Sequence, residues 1–77
     1  MQEYTQCWRF NNGYVSERMK FYKDDKSAIA GTLSSFKRSK PELGEVIVLL
    51  RDGDEIACLR AGDVMAGRVL GTSLPLR

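Results

Sequence analysis

The alternation of apolar and polar residues changes its period along this chain, and each change marks an element. Residues 4–10, Tyr-Thr-Gln-Cys-Trp-Arg-Phe, are rich in aromatic and β-favouring types. Residues 14–23 form a second run of the same kind. Between them stands Asn11-Asn12-Gly13, and Asn-Gly is a strong hairpin signal because both central residues of the tight turn take positive φ. A two-residue turn at Asn12-Gly13 sets Phe10 opposite Val15, Trp8 opposite Glu17 and Tyr4 opposite Phe21. One face then collects Tyr4, Trp8, Phe10, Val15, Met19 and Phe21. The other collects Thr5, Cys7 and Arg9 with Tyr14, Ser16, Arg18, Lys20 and Tyr22, so that apolar and polar residues separate.

The period then becomes helical. Asp24-Asp25 supplies an N-cap and negative charge for a first turn. Ile29, Leu33 and Phe36 recur as one helix face requires. Lys37, Arg38 and Lys40 suit a helix C-terminus, and Pro41 stops the helix. Gly31 lies in the middle and costs about 1 kcal/mol relative to Ala.

Residues 45–51, Glu-Val-Ile-Val-Leu-Leu-Arg, are the most apolar run, and Asp52-Gly53 is a second hairpin turn into residues 54–60. An even register puts Val46, Val48, Leu50, Ala57 and Leu59 on one side, and Ile47, Leu49, Ile56 and Cys58 on the other. Both faces are apolar, so both need cover. One helix covers one face. The second cover is either the C-terminal segment, where Asp63 caps a short helix through Leu70 with Gly71 as its stop, or a second copy in a homodimer. Residues 71–77 read as an extended tail. The fold class is α+β: an antiparallel sheet in β-β-α-β-β order, with one main helix on one face and a short C-terminal element. It forms a single domain over residues 1–77, with its ordered core at about 3–70.

Composition narrows the chemistry. The 77 residues include twelve basic and ten acidic side chains, a net charge of +2, and no histidine. The commonest neutral-pH acid–base group and the commonest metal ligand are therefore both missing. Cys7 and Cys58 read as small buried hydrophobes in a reducing compartment, with a disulfide between them as the alternative. No run approaches the ~18 consecutive apolar residues of a membrane span. No signal peptide is visible at the N-terminus. A cytoplasmic protein is expected.

Candidate motifs fail on their chemistry. Gly62 and Gly67 have P-loop spacing, but Arg68 and Val69 stand where Lys and Ser or Thr are needed. Asp52, Asp54 and Glu55 are too closely spaced for a calcium loop, and the hairpin turn accounts for them. Ser27 and Ser39 each adjoin a lysine, but sequence neighbours on a helix do not face each other. No enzyme, metal or cofactor is expected.

The notable feature is the outer face of the first hairpin, where Arg9, Arg18 and Lys20 interleave with Tyr14 and Tyr22. Tyr and Arg are enriched at protein-binding hot spots. The same mixture suits single-stranded nucleic acid, where phosphates meet cations and bases stack on rings. A plain solvated sheet face is the third reading.

The turns Asn12-Gly13 and Asp52-Gly53, the Asp25-capped helix, and the runs Val46–Leu50 and Ile56–Leu59 together carry a resemblance. Over residues 4–60 the chain resembles small phage-encoded inhibitor proteins, including several anti-CRISPR proteins, and a set of short bacterial proteins of the same β-β-α-β-β order. The resemblance is one of architecture and size, and no site residue carries over with it. It implies a non-enzymatic protein that binds a host protein complex and blocks its action. Many such inhibitors are strongly acidic mimics of nucleic acid, and this chain is not. Direct protein binding through Arg9, Tyr14, Arg18, Lys20 and Tyr22 is the expectation, with nucleic-acid binding by the same face as the alternative.

Overall fold

The structure is a computed structural model, and it describes residues 1–65. Strand β1 (Gln2–Arg9) and strand β2 (Val15–Tyr22) form the first hairpin. Helix α1 (Asp25–Arg38) follows, then strands β3 (Val46–Arg51) and β4 (Asp54–Arg60). A short helix α2 (Ala61–Met65) leaves β4 directly. The four strands make one antiparallel sheet in the order β2-β1-β3-β4, so the α+β architecture is the one expected.

The strand order follows from composition. β1 and β3 pair at the centre of the sheet, and they hold the buried Tyr4, Gln6 and Cys7 and the buried Ile47, Val48 and Leu49. The charged strands β2 and β4 take the edges, where lysine, arginine and glutamate discourage further pairing.

Helix α1 covers one face. Its N-cap is Asp24, whose Oδ1 accepts the Ser27 backbone N–H at 2.8 Å. Asp25 is not the cap. It lies in the first turn, where it accepts the Tyr4 hydroxyl at 2.7 Å and pairs with Arg51 at the end of β3. This trio joins β1, α1 and β3. Ala28, Thr32 and Phe36 are the buried residues of the helix, with Ile29 and Leu33 packed beside them. The core has two parts: Tyr4, Ala28, Leu49 and Ala57 at one end, and Phe36, Ile47, Leu59 and Ala61 at the other.

Two register expectations are corrected. In the first hairpin the loop is three residues, not two. Phe10 donates to the Tyr14 carbonyl at 2.9 Å, and Gly13, at φ 90°, donates to the Phe10 carbonyl at 3.0 Å. Arg9 therefore pairs with Val15, Cys7 with Glu17 and Thr5 with Met19. A one-residue slip moves every β2 side chain to the other face relative to β1. In the second hairpin Asp52 and Gly53 do form the tight turn, at φ 53° and 84°. An irregularity beyond it, at Leu49/Leu50, then shifts the register so that Leu49 meets Ala57 and Val48 meets Cys58. A bulge opposes two residues to one and keeps both faces in order. Ala57 and Leu59 consequently join Ile47 and Leu49 under the helix, rather than Val46 and Val48.

The C-terminal helix begins at Ala61, two residues before the expected cap at Asp63. The Ala61 N–H donates to the Glu45 carbonyl at 2.9 Å, and Ala61 and Val64 pack with Phe36 and Leu59. The described part of α2 thus adds to the core that α1 already covers. The helix end at Leu70, its stop at Gly71 and the tail at 71–77 lie outside the described residues.

Candidate functional site

The corrected register divides the five expected contact residues. Tyr14, Arg18, Lys20 and Tyr22 lie on the α1 side of β2, because Arg18 pairs with Gln6 and Lys20 with Tyr4. Arg9 pairs with Val15 and lies on the opposite face. The single outer face joining all five therefore does not form.

Tyr22 is drawn into the structure. Its ring stands edge-on to Tyr4 at 5.8 Å, and its hydroxyl lies 3.4 Å from Gln6 Nε2. It also lies against Gly31: a Cβ there would come within 2.7 Å of the ring. The glycine that costs helix stability is the one that admits Tyr22 between β2 and α1. The buried Gln6 amide donates to the buried Thr32 hydroxyl at 2.8 Å beside it.

Tyr14, Arg18 and Lys20 remain as a rim along the β2 edge. Tyr14 is 64% exposed and Arg18 is exposed, while Lys20 is half-buried. An aromatic chain supports the rim at one end. Tyr14 leans on Phe10 at 5.8 Å, Phe10 stacks on Trp8 at 5.1 Å, and Trp8 meets Phe36 edge-on at 5.3 Å. The exposed ring is thus held by a line of rings running into the core. Between the rim and α1 is a cavity of ≈ 40 Å³, lined by Ser16, Arg18, Ser35 and Gln6 together with Trp8 and Ile47. The indole N–H of Trp8 is buried and has no partner within the described protein. A cavity of this size can hold a water that accepts it.

The face away from α1 was expected to be covered by the C-terminal segment or a second copy, and no described element covers it. Val15, Met19 and Phe21 line it on β2 and are 48%, 60% and 61% exposed. Cys7, Val48 and Cys58 run across its centre, because Val48 pairs with both cysteines. The two thiols are free. They lie two strand spacings apart, about 9.6 Å, which is beyond the roughly 7 Å reach of a disulfide. Burial pushes the Cys58 thiol up, Arg60 and Arg9 draw it down, and Glu55 raises it. These influences agree with the register, which places all three charged residues on this face.

A second hollow of ≈ 250 Å³ lies where the start of β3 meets α2, between Leu43, Glu45, Arg60 and Gly62. None of the five expected residues lines it. No helix among the described residues is long and apolar enough to cross a membrane. Comparison with protein-family models, with curated proteins and with solved structures finds no match to this chain.

Proposed function

We propose that this chain is a non-enzymatic protein-binding module, an inhibitor of the phage type that acts by occupying a surface of a host defence complex. The observation that carries the reading is the β2 rim: an exposed Tyr14 held by a stack of rings, in line with Arg18 and Lys20. A rigid aromatic beside long cations is what protein hot spots favour, because little side-chain entropy is lost on contact. The partner surface would be acidic, since no acidic side chain of β2 shares the rim; Glu17 is on the other face. Free thiols at Cys7 and Cys58 fit a reducing, cytoplasmic setting.

The nucleic-acid alternative loses support from the same geometry. It needs stacking rings and cations in sequence along a groove. Arg9 is on the far face, Tyr22 is packed against the helix, and the Tyr14 ring leans on Phe10.

A pull-down from the source cells with tagged protein, with and without nuclease, tests the reading. A protein complex that survives nuclease and is lost with Arg18→Glu/Lys20→Glu is the expected result. Recovery of nucleic acid alone, with affinity falling steeply in salt as counterions are released, would overturn it. So would a complex that this double variant retains in full.

A further inference from the structure

The face away from α1 has a charge order that the rim does not share. Along the strands, one end holds Arg9 and Arg60, which flank Val46 in the paired row Arg9–Val46–Arg60. The other end holds Glu3, opposite Phe21, and Glu55, opposite Leu50. All four charged side chains are exposed. Val15 shares the arginine row and Phe21 stands beside Glu3; between them lie Met19, Cys7, Val48 and Leu50, with the exposed Glu17 at the β2 edge opposite Cys7. None of the described elements lies across this face, because α1 and α2 both pack on the other one.

We propose that this face is a self-association surface, on which a second copy of the chain packs about a two-fold axis lying across the strands. Two sheets packed face to face need an axis within their interface. An axis across the strands reverses the rows. Crossing β1 at the level of Gln6, it brings Arg9 of one copy over Glu3 of the other and Arg60 to about two residues, ~7 Å, from Glu55, twice, with Val15 over Phe21 and with Glu17 beside Met19 at the outer β2 edge. An axis along the strands would bring the two arginine rows together and the two acidic ends together. Edge pairing through β2 is disfavoured too: in the registers of fullest overlap that keep like faces together, Arg18 meets Arg18 or Lys20 of the copy.

The size of the face sets the strength. Four strands at ~4.8 Å and about seven residues at ~3.4 Å give a face of roughly 450 Å² in projection. That is below the ~800 Å² per partner of a standard interface, so a weak, concentration-dependent dimer is expected. Both α1 helices and both β2 rims then point outward, and the dimer presents the Tyr14–Arg18–Lys20 rim in duplicate. This inference goes beyond the binding reading and uses none of its residues.

Sedimentation velocity from a few micromolar to several hundred micromolar tests it. The wild-type chain should move from the mass of one chain to that of two. The pair Arg9→Glu/Arg60→Glu should stay monomeric, and so should the pair Glu3→Arg/Glu55→Arg. Mixed in equal amounts, the two should form a heterodimer, because each acidic end then meets a basic one. The exposed Met19→Glu is a further variant expected to stay monomeric, with far-ultraviolet circular dichroism confirming that each variant folds. A wild-type chain that is monomeric throughout would overturn the proposal. Nuclear Overhauser contacts from the Met19 methyl to residues 66–77 would then assign the face to the chain's own end. A dimer that all these variants leave intact would equally overturn it. A retained heterologous complex in the pull-down, with no self-association here, would leave the rim reading standing alone.

Discussion

Gly31 is where one absent methyl group decides a packing. In an ordinary helix interior, Gly→Ala gains about 1 kcal/mol. Here the new Cβ would sit 2.7 Å from the Tyr22 ring, which Tyr4 and Gln6 hold in place. Gly31→Ala should therefore lower stability, by about 1–3 kcal/mol from overpacking. In a Tyr22→Leu background the same change should become neutral or stabilising, and a urea-denaturation cycle of the four proteins measures the reversal. The Gln6–Thr32 hydrogen bond gives a second test, because both groups are buried. Thr32→Val alone should cost about 1–3 kcal/mol by leaving the Gln6 amide only its longer contact to the Tyr22 hydroxyl. That corresponds to a drop of roughly 4–8 °C in Tm per kcal/mol in a domain of this size. Thr32→Val with Gln6→Met should cost less than the single change.

At the scale of elements, the carboxylates at the start of α1 couple folding to pH. The Arg51 side chain, and then the Tyr4 hydroxyl, hold the Asp25 carboxyl below its ordinary value of 3.8. The Ser27 backbone N–H does the same for Asp24. A folded pKa below the unfolded one contributes stability that is fully present above about pH 3.8 and is lost as pH falls through the folded values. Denaturation midpoints should fall in that acid window, and Asp25→Asn should flatten the part due to Asp25. A midpoint independent of pH there would remove the trio from the account.

The elements themselves were legible. Asp52-Gly53, the Asp24-Asp25 start and the Pro41 stop each act through local backbone chemistry, which a sequence carries in full. The registers were less so. Asn11-Asn12-Gly13 fits a two-residue or a three-residue loop, and both arrangements leave an apolar residue at most positions of one face. The choice between them falls to Phe10 and Tyr14, which pair across the loop and join Trp8 in one stack. The shift beyond Leu49 could not be read from alternation either, because every residue from Val46 to Leu50 is apolar.

For the whole molecule, the consequence is two surfaces instead of one. The strand order β2-β1-β3-β4 was not inferable from the elements alone, and it is what brings Cys7, Val48 and Cys58 into one row. Burial raises the Cys58 thiol, so at neutral pH it should alkylate more slowly than a free cysteine and speed up as pH rises. Timed iodoacetamide labelling with mass spectrometry reads this, and labelling at the rate of a free thiol would place Cys58 elsewhere. Of the expected contact residues, Tyr14, Arg18 and Lys20 share the α1 side of the β2 edge, whereas Arg9 lies on the opposite face and Tyr22 packs against α1, because a face is a property of register and not of composition.

The separation of a cationic rim from an apolar face rests on the pairing of β1 with β2, and cross-strand Hα–Hα nuclear Overhauser effects measure that pairing directly. Phe10 and Tyr14 share a backbone hydrogen bond, so the close, non-hydrogen-bonded pairs alternate from Arg9–Val15. Strong cross-peaks are expected for Arg9–Val15, Cys7–Glu17, Thr5–Met19 and Glu3–Phe21. Cross-peaks for Phe10–Val15, Trp8–Glu17 or Gln6–Met19 would restore the single mixed face and contradict the division of the molecule into two surfaces.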